Sequence, residues 1–183
     1  MNKPKRFIIS GGPGFGKTSI ISALEKRGYI CFHEISRGII KEQLEQNGDI
    51  LPWKNLEAFS KIIIEKRSIQ FDEARHYSIS FFDRGIPDAI AYLNKGSISL
   101  NENYINLLQD KLYHNLTFLT PPWREIFCND SERIENFEQA CEAHYQIEKT
   151  YKEIGYTVIE IPKMGVNERV DFILNKINLI KST

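Results

Sequence analysis

Neither sign of charge prevails in this sequence: lysine plus arginine and aspartate plus glutamate each number 24. A protein that grips a nucleic-acid backbone carries a basic excess, so binding to DNA or RNA is disfavoured. Cysteine is scarce. Cys31, Cys128 and Cys141 are odd in number, lie far apart and form no CxxC pair, which reads as reduced thiols in a cytoplasmic protein. No apolar run approaches the roughly 18 residues that a membrane span needs, and no signal-like segment opens the chain. Repeats, low-complexity tracts and linkers are missing too. What remains is one domain of 183 residues with 42% hydrophobic and 26% charged residues, enough to bury a single core.

Hydrophobic periodicity divides the chain into alternating strands and helices. Arg6 to Ser10 reads as a buried strand running into a glycine-rich loop. A helix with Ile20, Ile21 and Leu24 on one face follows and stops near Gly28. Tyr29 to His33 is a second strand, and 35–75 is mostly helical, broken near Asn47-Gly48 and Pro52. A third strand spans Tyr77 to Phe82, with helices expected over Ile86 to Leu93 and Asn101 to Tyr113. A fourth strand, Leu116 to Leu119, is closed by Pro121-Pro122. After a polar loop, Ile134, Phe137, Cys141, Tyr145, Tyr151 and Ile154 mark one face of a long helix. Tyr156 to Ile161 and a helix carrying Val166, Val170, Ile173, Leu174 and Ile177 complete the chain. Strands that alternate with helices predict an α/β protein, a parallel sheet covered on both faces. Ligands then sit at the carboxyl ends of the strands, just after residues 10, 33, 82, 119 and 161.

The first of these ends carries Gly11, Gly12, Pro13, Gly14, Phe15, Gly16, Lys17 and Thr18, a full GxxxxGK(S/T) phosphate loop, followed by Ser19. Glycines let successive backbone N–H groups converge on one anion, helped by the N-terminus of the next helix. Lys17 is expected at the β and γ phosphates of ATP and the Thr18 hydroxyl on Mg²⁺. The third strand end supplies Asp83 as the second metal ligand, with Arg84 beside it. Phe71-Asp72-Glu73 looks superficially similar, but it falls within helical periodicity and reads as a solvated helix face. A glutamate after Asp83 would suit a motor that polarises water; Arg84 suits a second substrate.

Glu34 and Arg37 follow the second strand, where Glu34 could accept a proton from an attacking hydroxyl or hydrogen-bond a ribose. Either Glu34 or Asp83 qualifies as that base. His33 reads as a packing residue. Arg124, Asp130 and Arg133 fall in the segment 121–135, which is expected to be a mobile lid whose arginines close over the triphosphate. Trp123 either anchors that segment or stacks on a base. The long helix that follows offers a surface for pairing with a second copy, so a homodimer is an open expectation.

Taken together, GGPGFGKTS, HEISRGII, FFDRGIPDAIAYL, PPWREIFCNDSERI and GYTVIEIPKMGVNERVDFIL resemble the AAA-like phosphate-loop domains that include the nicotinamide riboside kinase domain of NadR-type proteins. The resemblance implies a three-layer fold with five parallel strands ordered 2-3-1-4-5 and a lid. It implies Lys17 and Thr18 at phosphates and metal, Asp83 and Arg84 towards metal and acceptor, and Arg124 and Arg133 in the lid. The expected activity is transfer of the ATP γ-phosphate to a small hydroxylated acceptor such as a nucleoside. A nucleotide-dependent switch and a polynucleotide 5′-kinase are the competing classes. A GTP-specific version is disfavoured, since Asn94-Lys-Gly-Ser97 begins like a base-reading NKxD motif but lacks its aspartate.

Overall fold

The computed structural model describes residues 3–100, 102–127 and 135–181. Its first strand, β1 (Lys5–Ser10), runs into the phosphate loop and helix α1 (Lys17–Lys26). Then come β2 (Ile30–Phe32), α2 (Ser36–Glu45), α3 (Leu56–Glu73), β3 (Ile79–Asp83), α4 (Ile86–Lys95) and α5 (Glu102–Asp110). Strand β4 (Leu116–Leu119), α6 (Phe137–Glu153), β5 (Thr157–Glu160) and α7 (Val166–Lys181) close the chain. The strands form one parallel sheet in the order β2-β3-β1-β4-β5, as the resemblance implied.

Side chains alternate across the sheet and so build two cores. Phe7, Ile9, Phe81 and Phe118 face Ile20, Ile21 and Leu24 of α1 and Val170, Ile173 and Ile177 of α7. Ile8, Phe82 and Leu119 face the other way, against α2, α3, α4 and α6. These are the three layers. The three central strands are buried on both sides, which is why β1, β3 and β4 lack polar alternation.

The expected break between α2 and α3 is present. Asn47 takes a left-handed φ of 52° after α2, and the Asn55 side chain caps α3 by accepting from the Ala58 N–H at 3.1 Å. Phe71 is buried while Asp72 and Glu73 are exposed, so that stretch is a helix with a solvated acidic face.

Helix α6 differs from its expected face. Its buried residues are Ala140, Ala143, His144, Ile147, Thr150 and Tyr151, and Tyr145 is 61% exposed. Small residues decide the matter: a Cβ on Gly12 would lie 2.4 Å from the Ala140 carbonyl oxygen. The helix approaches the phosphate loop too closely for the aromatic stripe to lie between them. Ile134 lies outside the described residues. His33 also departs from expectation. It is exposed and pairs with Glu25 at 2.6 Å instead of packing in a core.

The Phe82 ring is fully buried, 4.6 Å from Phe32 and 5.1 Å from Tyr113 between centroids. Phe82→Ala is expected to cost about 3–5 kcal/mol, the usual cost of deleting a core phenylalanine. Urea denaturation should show a lower midpoint at unchanged slope.

Candidate active site at the carboxyl end of the sheet

The register of β1 and β3 sets the geometry. Ile9 is paired with Asp83, so the phosphate loop and the strand-end aspartate emerge side by side. Gly11, Gly14 and Gly16 of the loop have φ values of 123°, 78° and 79°, which non-glycine residues rarely adopt. Helix α1 begins without a side-chain cap, leaving its first N–H groups directed at the loop. Lys17 is buried, and its Nζ donates to the carbonyls of Gly11 at 3.0 Å and Gly12 at 2.6 Å.

Beside the loop lies a cleft of about 450 Å³. Pro13, Gly14, Phe15, Gly16, Lys17, Thr18 and Ser19 line one end, and Glu34, Arg37, Asp83 and Arg84 contribute polar groups. Ile40, Leu56, Phe59, Ile63 and Tyr92 form an apolar wall. The structure therefore brings nearly all the sequence-predicted residues together. Arg124 stands apart: it is exposed, pairs with Glu138 at 2.5 Å and lies 4.1 Å over the Phe137 ring. Arg133 and Asp130 lie outside the described residues. Trp123 is half-buried with Arg169 over its ring at 5.4 Å.

Three groups missed in the sequence organise this cleft. Arg67 of α3 is buried and donates to the His33 carbonyl at 3.0 Å, to Gln70 at 2.7 Å and to the Asp83 carbonyl. It thus ties the ends of β2 and β3 together. Nothing distinguishes it in the basic, helical run that contains it. Asp88 at the start of α4 is buried and accepts from four donors. These are the Ser10 hydroxyl, the Gly85 N–H at 2.8 Å, the Tyr151 hydroxyl at 2.6 Å and Arg84 at 3.2 Å. Arg84 stands just before α4 and Asp88 in its first turn, so the pair was readable in sequence only as a capping aspartate after Gly85. Tyr92 lies further along α4 with the Arg84 guanidinium 6.0 Å over its ring.

Two of the carboxylates that line the cleft, Glu34 and Asp83, are driven apart. Burial pushes the Glu34 carboxyl up, but hydrogen bonds from Ser36 and the charges of Arg84 and Arg67 outweigh it and hold the pKa below the ordinary value. Burial dominates at Asp83 and raises its pKa despite Lys17 and Arg84 nearby. Its Oδ1 is buried with no hydrogen-bond partner. An orphaned carboxylate oxygen beside a phosphate loop fits a cation-binding position. Among the described residues no three His, Cys, Asp or Glu side chains converge into a metal cage. Mg²⁺ suits such a site, because it binds through one or two protein groups plus phosphate oxygens.

Opposite outcomes are expected at the two buried aspartates. Asp88→Ala strands a buried arginine and should cost about 3–5 kcal/mol of stability in chemical denaturation. Asp83→Asn removes a buried charge whose desolvation outweighs its cationic neighbours and should stabilise the ligand-free protein at neutral pH by about 1 kcal/mol, raising Tm by about 2–4 °C. Asp83 binds its proton more tightly when folded, so its contribution is complete in acid and lost as pH rises through the raised pKa. The advantage of Asp83→Asn should accordingly shrink towards acid in melting curves taken across pH.

No curated protein matches the chain in sequence. Among solved structures, deoxyadenosine kinase from M. mycoides, with dCMP and dCDP bound, superposes with a TM-score of 0.68 at 18% identity, covering 94% of this chain and 98% of that one. Thymidylate kinase from Candida albicans gives 0.64 at 15% identity, covering 98% and 93%. The NadR protein in complex with NR gives 0.61 at 17% identity, with 88% of this chain spanning 46% of that one. At such identities these likenesses establish a shared fold. In sequence, residues 6–169 match the AAA domain family, a stretch that holds the phosphate loop, Glu34 and the Asp83-Arg84 corner, and the chain belongs to that family.

Proposed function

We propose that the protein transfers the γ-phosphate of ATP to a hydroxyl of a small acceptor, a nucleoside or related metabolite. One observation carries the reading: the cleft extends from the phosphate loop into a second compartment with an apolar wall and ionised or hydrogen-bonding groups at its mouth. A hydrolase or switch needs only the first part. The wall of Ile40, Leu56, Phe59, Ile63 and Tyr92 suits a flat ring, while Glu34, Arg37 and Arg84 suit hydroxyl groups beside it.

On this reading the loop N–H groups and Lys17 bind the phosphates, while Thr18 and Asp83 hold Mg²⁺. Bound there, the metal supplies Lewis-acid charge on the phosphate oxygens. Glu34, held ionised, accepts the hydrogen bond of the acceptor hydroxyl and aims its oxygen in line with the γ-phosphorus. Arg84 is fixed by Asp88 and faces the acceptor side, where it offsets charge developing during transfer. Residues 121–135 act as the lid with Arg124 and Arg133, and closure excludes water so that the acceptor hydroxyl competes. The whole chain works as one kinase unit. Its balanced charge favours small metabolites over polynucleotides.

ADP release with Mg·ATP across a panel of nucleosides that includes nicotinamide riboside tests this. One acceptor should stimulate release by about 100-fold or more, and Lys17→Ala and Asp83→Asn should each lower that rate by about 100-fold. Tight nucleotide binding with no stimulation by any acceptor would favour the switch.

A further inference from the structure

Arg169 lies in the first turn of α7, outside everything assigned so far. It is only 5% exposed, and its Nε is buried without a partner. Among the described residues its guanidinium makes no hydrogen bond and no ion pair; its one aromatic contact is the Trp123 ring at 5.4 Å. Arg67 is the internal comparison. It is as deeply buried, yet its terminal nitrogens reach three acceptors. A buried guanidinium that does not pair is costly, and packing alone gives no reason to keep one.

The position of its head group says what would pair with it. A Cβ built on Gly16 would lie 2.8 Å from Arg169 Nη1 and 3.0 Å from Ile126 Cδ1, and both Gly16 and Ile126 line the cleft. The guanidinium therefore stands against the last glycine of the phosphate loop. Burial lowers its pKa with no carboxylate to offset the effect, as a cation awaiting an anion would show.

We propose that Arg169 is a second cationic contact of the phosphate loop, binding a phosphate oxygen of the nucleotide while the Trp123 ring holds its plane. The inference rests on the loop's binding a nucleoside polyphosphate, and it holds whether or not the phosphate is then transferred.

Calorimetric titration of the full chain with Mg·ATP, with inorganic tripolyphosphate and with adenosine tests it, on the wild type and on Arg169→Met and Arg169→Lys. Arg27→Met serves as a control, since it removes a cation from the exposed pair with Asp171 on the same helix. Arg169→Met should weaken ATP and tripolyphosphate alike by about 10- to 100-fold, the range of a charge-assisted hydrogen bond, and leave adenosine unchanged. Arg169→Lys should recover part of the loss, and Arg27→Met should lose nothing. The ligand-free Arg169→Met protein should melt no lower than the wild type. Unchanged ATP affinity together with a lower Tm would overturn the proposal and make Arg169 a pin for Trp123. Loss confined to ATP, with tripolyphosphate unaffected, would also overturn it, because the contact would then be to the base. A wild type that binds neither polyphosphate defeats both this proposal and the kinase reading. Loss of affinity in Arg169→Met without any acceptor-stimulated turnover leaves Arg169 assigned and removes only the kinase.

Discussion

The carboxylate of Asp88 is the point from which the rest of the site is held. Its oxygens receive the Ser10 hydroxyl at the root of the phosphate loop, the Gly85 N–H at the start of α4, the Tyr151 hydroxyl from α6 and the guanidinium of Arg84. The sheet and two helices of one layer thus meet on one buried anion. Arg84 needs that support, because its backbone is left-handed at φ 69°, a strain usually left to glycine. The Arg84 N–H is bonded to the Ile9 carbonyl at 3.0 Å, so main chain and side chain are both fixed. A guanidinium held this way keeps its geometry when a ligand arrives, and little ordering cost is left to offset.

Charge at the mouth of the sheet is divided by the same physics. Glu34 and Asp83 are both screened from water, but only Glu34 has donors enough to stay ionised below its usual range. Such divergence between neighbouring carboxyls marks distinct chemical roles. It also supports the proposed division of roles between them. The group with a satisfied carboxylate is suited to orient a hydroxyl, and the group with a bare oxygen is suited to receive a cation.

Much of this was legible in the sequence because it rests on local rules. Unbroken apolar strands, helix stops at Gly28 and Asn47-Gly48, and the spacing of the phosphate loop all carry their reasons within a few residues. What escaped depends on close approach between distant elements. Ala140 looks like filler until the phosphate loop packs on it, and the aromatic stripe that seemed to define α6 leaves Tyr145 in solvent. Phe15 occupies a variable position of the loop motif, yet its ring lies 6.1 Å from Phe127, 5.8 Å from Phe137 and 6.0 Å from His144. That cluster joins the phosphate loop to the segment expected to close over it and to the helix that follows. Arg67 and Arg169 are equally plain in sequence, since an arginine on a helix is usually a solvated one.

The buried groups without partners add a last constraint. Asp83 Oδ1 is an acceptor without a donor, and Arg169 Nε is a donor without an acceptor. They carry opposite charge, yet neither is the other's hydrogen-bond partner. Two separate ligands could meet these needs, but a polyphosphate carrying a divalent cation meets both at once. On the proposed reading Asp83 would hold the metal and Arg169 a phosphate oxygen. On that reading each unpaired charge costs stability in the ligand-free chain and returns it on binding, so the same residues that weaken the empty fold would tighten its hold on a metal-bound nucleotide.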